Sequence, residues 1–167
     1  VNGDFVRNGY GLSGDSVRIG VLSDSYNTIP GNPAADDVLR GDLPGSTNPN
    51  NRNPVHVLLD YPFGQRSDEG RAMLQIVHDI APKAKLSFRT GFLSAGDFAR
   101  GIIELANDTC DAIVDDVTFI TESFFHDGVV AKAVDSVTSR GVSYFSAAGN
   151  FGRQSYGNDF HGVPAPN

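Results

Sequence analysis

At 167 residues the chain is long enough to bury a core as one domain, and 40% hydrophobic with 20% charged residues excludes a disordered tract. A net charge of −7, with Lys and Arg scattered, excludes nucleic acid as a partner, because phosphates demand a basic face. No apolar run approaches the roughly 18 residues that span a bilayer, no leader-like segment opens the chain, and the single Cys110 excludes an internal disulfide framework.

Val1 in the place of a start methionine is expected of a mature form or an excised piece. "VRIGVLS" (17–23) is an apolar, β-branched strand that breaks at Asp24. Residues 27–54 hold five of the nine prolines and many Asn, Gly and Asp, which reads as a long surface excursion. "VHVLL" (55–59) is a second strand. Residues 69–80 form a helix with Ala72, Met73, Ile76, Val77 and Ile80 on its apolar face, and Asp68 at the N-cap accepting from free backbone N–H groups. "KLSF" (85–88) follows the turn at Pro82. Residues 95–106 are a helix with Phe98, Ile102, Ile103 and Leu105 inward. "DAIVDDV" (111–117) is the fourth strand, 127–139 an amphipathic helix ended by Gly141, and "VSYFSAA" (142–148) the fifth strand. The tail 151–167 has no regular period.

Strands apolar on both faces, alternating with helices, predict an α/β, doubly wound parallel sheet in a single domain spanning 1–167. In such a sheet ligands sit beyond the carboxyl ends of the strands. The polar residues there are Ser23, Asp24 and Ser25 after strand one, Asp115 and Asp116 at strand four, and Asn150 after strand five. Glu69, opening a helix that follows a strand, belongs on the same rim. Strand alternation turns Asp115 and Asp116 to opposite faces, so one of them lines the cleft, and Asp116 is favoured.

These segments resemble the subtilases, the subtilisin-like serine peptidases. "VRIGVLSDSYN" looks like their first catalytic strand and "DAIVDDVTF" like their substrate-binding strand, which implies Asp116, Val117 and Thr118 as substrate contacts. "GVSYFSAAGN" is similar to their oxyanion strand, and "DEGRAMLQIVHDIAPKAKL" sits where they carry the His-Gly-Thr helix. The order agrees across 17–150. The resemblance implies a three-layer α/β/α fold truncated before the nucleophile helix, a polypeptide substrate, the remaining C-terminal part of the peptidase domain as partner, and a secreted, periplasmic or extracellular location.

The departures are specific. Glu69 stands where the family has its catalytic histidine, and His78, half a helical revolution round from it, cannot replace it. Tyr26 replaces a common Gly, Asp116 a common Ser, and the Gly-Thr-Ser nucleophile segment is absent through Asn167. A glutamate in the histidine's place resembles the sedolisins, although Met73 stands where they place a second carboxylate and Asn150 where they use Asp. The implied chemistry is acyl transfer. Asn150 donates to the oxyanion, Glu69 moves the nucleophile's proton, and Asp24 orients Glu69 and shares a proton with it, giving an acidic optimum.

Other readings stay open. Degeneration of the same fold would leave a non-catalytic peptide-binding or assembly module, and Asp24 with the Asp115–Asp116 pair also fits a magnesium-dependent phosphohydrolase or receiver-like domain. No cofactor is required, with calcium in the acidic stretch 34–45 as the alternative. Cys110 is expected buried and inert. His56, His126 and His161 are expected on the surface, and Phe124 and Phe125 are expected to pack under the fifth-strand helix.

Overall fold

The computed structural model describes residues 2–123, 125–154, 157, 159 and 162. Among them the elements run α1 (Gly3–Tyr10), β1 (Arg18–Ser23), α2 (Pro33–Arg40), β2 (His56–Leu59), α3 (Glu69–Ile80), β3 (Lys85–Thr90), α4 (Ala95–Asn107), β4 (Ala112–Asp115), α5 (Val129–Thr138) and β5 (Ser143–Ser146). The strands form one parallel sheet in the order β2-β3-β1-β4-β5. This is the α/β sheet that the alternation of apolar strands and helices predicts.

Adjacent residues of β1 show why both faces must be covered. Val21 is fully buried with Leu43, Leu74, Ala84, Leu86 and Phe88 on one side. Leu22 is fully buried on the other with Phe98, Ile102, Leu105, Cys110, Ile113 and Val137. The first cluster is roofed by α3 and the 27–54 excursion, the second by α4 and α5. Cys110 belongs to the second, and burial pushes its thiol up to about 12, so it packs as an apolar group. β5 closes one flank with its Phe145 ring 61% exposed.

Helix α3 lies closer to the sheet than its sequence suggests. Its buried positions are Gly70, Leu74 and His78, an i, i+4, i+8 stripe, while Ile76 is 61% exposed. The expected face is therefore rotated, because Gly70 sets the contact. A methyl group there would sit 2.3 Å from the Phe88 ring and 2.8 Å from the Ser25 carbonyl oxygen. Met73 and Val77 flank the stripe, and Ile80 serves α1 instead, next to Gly3.

Two short helices lie where the sequence shows no apolar period. In α1 no residue is buried, and Arg7 holds it to α3 by donating to the Asp79 carbonyl. In α2, Pro33 occupies the first turn and Gly41, at φ 90°, ends the helix. The acidic stretch 34–45 is thus mostly helix, and its Asp37 pairs with Arg71 Nε at 2.9 Å.

On β3, Arg89 is fully buried and is paired on α4, donating to Asp97 at 2.7 and 3.0 Å and to Glu104 at 2.6 Å. Such a charge persists inside only because its partners are in place.

Candidate active site

The parallel register levels Ser23 with Thr90 and Leu22 with Asp115, so β1, β3 and β4 finish along one edge. Helix α3 begins at that same edge. Asp24, 7% exposed, is the first residue past β1, and its carboxylate faces the incoming turn of α3. Oδ1 accepts from the Glu69 N–H at 2.9 Å, and Oδ2 accepts from the Ser67 N–H at 2.8 Å and the Ser67 hydroxyl at 2.6 Å. The free N–H groups at a helix start want an acceptor and the helix dipole favours a negative one, so a carboxylate 45 positions upstream acts as the cap. Thr90 locks the backbone of Asp24 by donating to its carbonyl at 2.7 Å.

Asp68 occupies the N-cap position but makes no capping hydrogen bond, which corrects the expectation for it. Its φ of 55° turns the side chain away from the helix toward the loop after β1. There the carboxylate accepts from the Thr28 N–H and hydroxyl at 2.8 and 2.7 Å, the Ser25 hydroxyl at 2.8 Å and the Ile29 N–H at 3.1 Å, and pairs with Arg71 at 2.6 Å. Burial pushes its pKa up, but these hydrogen bonds outweigh that and hold it at about 2. The opening acid pair has separate jobs: Asp68 fixes a loop, and Glu69 is left free.

Glu69 meets Asp24 through its backbone, and its side chain is exposed on the rim. Among the described residues no hydrogen bond joins the two carboxyl groups. Their charges converge on a third acid, Asp116. Burial, then the negative charges of Glu69 and Asp24, push Asp116 up to about 6, against a hydrogen bond from the Ser23 hydroxyl at 3.0 Å. Its neighbour Asp115 turns the other way, 3% exposed, accepting from the hydroxyls of Tyr144 at 2.6 Å and Ser146 at 3.0 Å on β5. Burial raises Asp115 as well, moderated by those bonds. Alternation has placed one acid on the rim and one under β5.

Past β4, Val117 and Phe119 with Thr118 form one wall of a cavity of about 160 Å³, and Gly91, Phe92, Leu93 and Ser94 form the other. Asn150 follows β5 on the same edge with its side chain exposed, and the neighbouring Gly149 lies 3.3 Å (as a built Cβ) from the Thr118 hydroxyl. A larger cavity of about 460 Å³ lies between α2 and residues 45–54, lined by none of the candidate site residues. Among the described residues no group of three or more His, Cys, Asp or Glu side chains is placed to hold a metal ion.

The remaining expectations sort by position. His56 and His126 are exposed, His56 pairing with Asp108 at 2.9 Å, whereas His161 and Phe124 lie outside the described residues. Phe125 is 79% exposed rather than packed under α5. His78 is 4% exposed beneath the excursion loop, far round the helix from Glu69. Two elements of the rim escape sequence reasoning. One is Ser67, which completes the cap on Asp24. The other is Arg66, whose guanidinium lies 4.3 Å from the Tyr61 ring centre and 4.7 Å from that of Phe92. The run "YPFGQR" just before the acid pair was the available signal.

No family model and no curated protein matches the chain. Solved structures do. The protein is similar to the prenylagaramide maturation protease PagA at 18% identity and TM-score 0.56, covering 82% of this chain and 47% of PagA. It is similar to a serine-to-alanine mutant of the protease domain of PatA at 23% identity and TM-score 0.57, covering 84% of this chain and 53% of that one. It is also similar to MycP1 without its N-terminal propeptide at 19% identity and TM-score 0.54, covering 98% and 51%. The likeness is one of fold, and the chain spans about half the length of these structures. They correct the sedolisin-like reading of Glu69: none of these three proteases is described as a sedolisin, and Met73, one turn along α3, offers no second carboxylate to pair with Glu69.

Proposed function

We propose that the chain is the N-terminal portion of a subtilisin-like serine endopeptidase domain, with the nucleophilic serine supplied by residues beyond it. One observation carries this reading. At the carboxyl edge of a sheet shared with protease domains, Asp24, Glu69 and Asp116 meet beside a groove lined by 91–94 and 117–119. In this reading Glu69 takes the nucleophile's proton and returns it to the leaving amine, its side chain being exposed on the rim. Asp24 acts with it by fixing the helix turn that carries it, through the 2.9 Å bond to the Glu69 N–H. Asn150 donates to the oxyanion, a contribution of about 3 kcal/mol in such sites. Asp116, Val117 and Thr118 border the bound polypeptide. Export from the cytoplasm belongs to the same proposal and rests on the resemblance alone.

A second reading has one observation in its favour. The oxygens of Asp24 are already occupied by the Ser67 and Glu69 donors, which suits a non-catalytic, peptide-binding version of the fold. Peptide hydrolysis by the protein carried on past Asn167 as its gene encodes separates the two. The peptidase predicts cleavage at acidic pH that falls by about 10²-fold in Asn150→Ala and further in Glu69→Gln. Peptide binding without cleavage favours the second reading, and a rate that peaks above neutrality contradicts Glu69 as the base.

A further inference from the structure

Arg66 lies two residues before the N-cap of α3, half-buried, with its guanidinium over two aromatic rings. Phe63, 76% exposed, meets Tyr61 edge-on at 5.9 Å, and Phe92, 45% exposed, is also a wall of the 160 Å³ groove. The series groove, Phe92, Arg66, Tyr61 is therefore continuous. One nitrogen of the guanidinium donates to the Tyr61 hydroxyl at 2.8 Å, and the Arg66 backbone N–H is tied to the Thr28 hydroxyl at 2.9 Å. Its other N–H groups have no acceptor among the described residues, and it makes no ion pair there, although Asp24, Glu69 and Asp116 all belong to the same rim. A cation held flat by π-faces keeps its charge and its plane while its edge stays open.

A planar fork of donors, pre-oriented and without an anionic partner, is built to receive a carboxylate. We infer that Arg66 is a specificity residue that selects an acidic side chain, Glu or Asp, in a polypeptide lying along the 91–94 and 117–119 groove. This rests on the peptide-site reading above. The three acids further along the rim reject an acidic residue at the neighbouring positions, so the selection acts at one register of the peptide.

The test is fluorescence anisotropy of the chain with labelled peptides in which Glu, Gln or Lys is walked through each position. At one register Glu binds roughly tenfold tighter than Gln, the size expected of one charge-assisted hydrogen bond. Arg66→Gln removes that preference, and added salt weakens it in the parent protein. Arg66→Lys, which keeps the charge and loses the stacked plane, retains a reduced preference and guards against a variant that fails to fold. Peptides that bind with no acidic preference, or a preference that survives in Arg66→Gln, overturn the assignment and leave the peptide site standing. Binding of no peptide at any register overturns the peptide-site reading, and the assignment with it.

Discussion

Asp24 caps the helix that starts at Glu69: the two residues are joined by a 2.9 Å bond from the Glu69 N–H to the Asp24 carboxylate, reinforced by two bonds from Ser67. In Asp24→Asn, an amide N–H₂ must face donors that now point at an oxygen. The loss is expected at about 2 kcal/mol, and an unchanged urea midpoint would show that the cap contributes nothing.

The raised Asp116 reports on the rim. Its carboxyl should titrate near 6 by carbon-detected NMR. Glu69→Gln removes a negative neighbour and lowers that value, whereas Ser23→Ala removes a hydrogen bond to the ionised form and raises it further. Because the folded value lies above the unfolded one, this group favours the folded state at low pH, and that contribution disappears as pH rises through 6. An Asp116 indifferent to Glu69 would mean that the two are not neighbours.

His78 works with the opposite sign. It is 4% exposed, its Nε2 faces the Asn48 amide at 3.2 Å, and its Nδ1 has no partner among the described residues. Burial lowers its pKa below the ordinary 6.5, against the charges of Asp79 and Asp42. The unfolded chain then binds the proton more readily, so stability is full above 6.5 and declines as pH falls below it. Chemical denaturation at pH 8 and 5.5 should show this decline in the parent and not in His78→Leu. The leucine should cost little, since Asn48 also donates to the Leu43 carbonyl at 2.9 Å.

Removing Asp97 leaves the buried Arg89 with Glu104 as its one acidic partner among the described residues, beside the Thr90 carbonyl. Asp97→Ala is expected to cost about 3 kcal/mol, while Arg100→Ala, at a side chain 63% exposed, should cost under about 1 kcal/mol. Equal thermal shifts for the two would remove Arg89 from the list of structural anchors.

The sheet was legible because its strands are apolar on both faces, and the ends of β1 and β4 could be placed by counting. The face of α3 was misjudged because Gly70 carries no apolar side chain, yet its bareness is what lets the helix approach Phe88. α1 and α2 hold one buried residue between them, Ala34, so no apolar period announces either. Asp68 followed a capping rule that reads types and positions. Its left-handed backbone, invisible in one dimension, hands the cap to Asp24. Arg66 was passed over because its significance lies in two rings brought together from before β3 and after it.

The paired acids at the end of β4 carry one last implication. Asp116 is stitched to β1 through Ser23, and Asp115 to β5 through Tyr144 and Ser146. Together they act as a spacer bar across three strand tips, so the width of the mouth is set before anything enters it, and an occupant bears little of the ordering cost that a slack opening would impose.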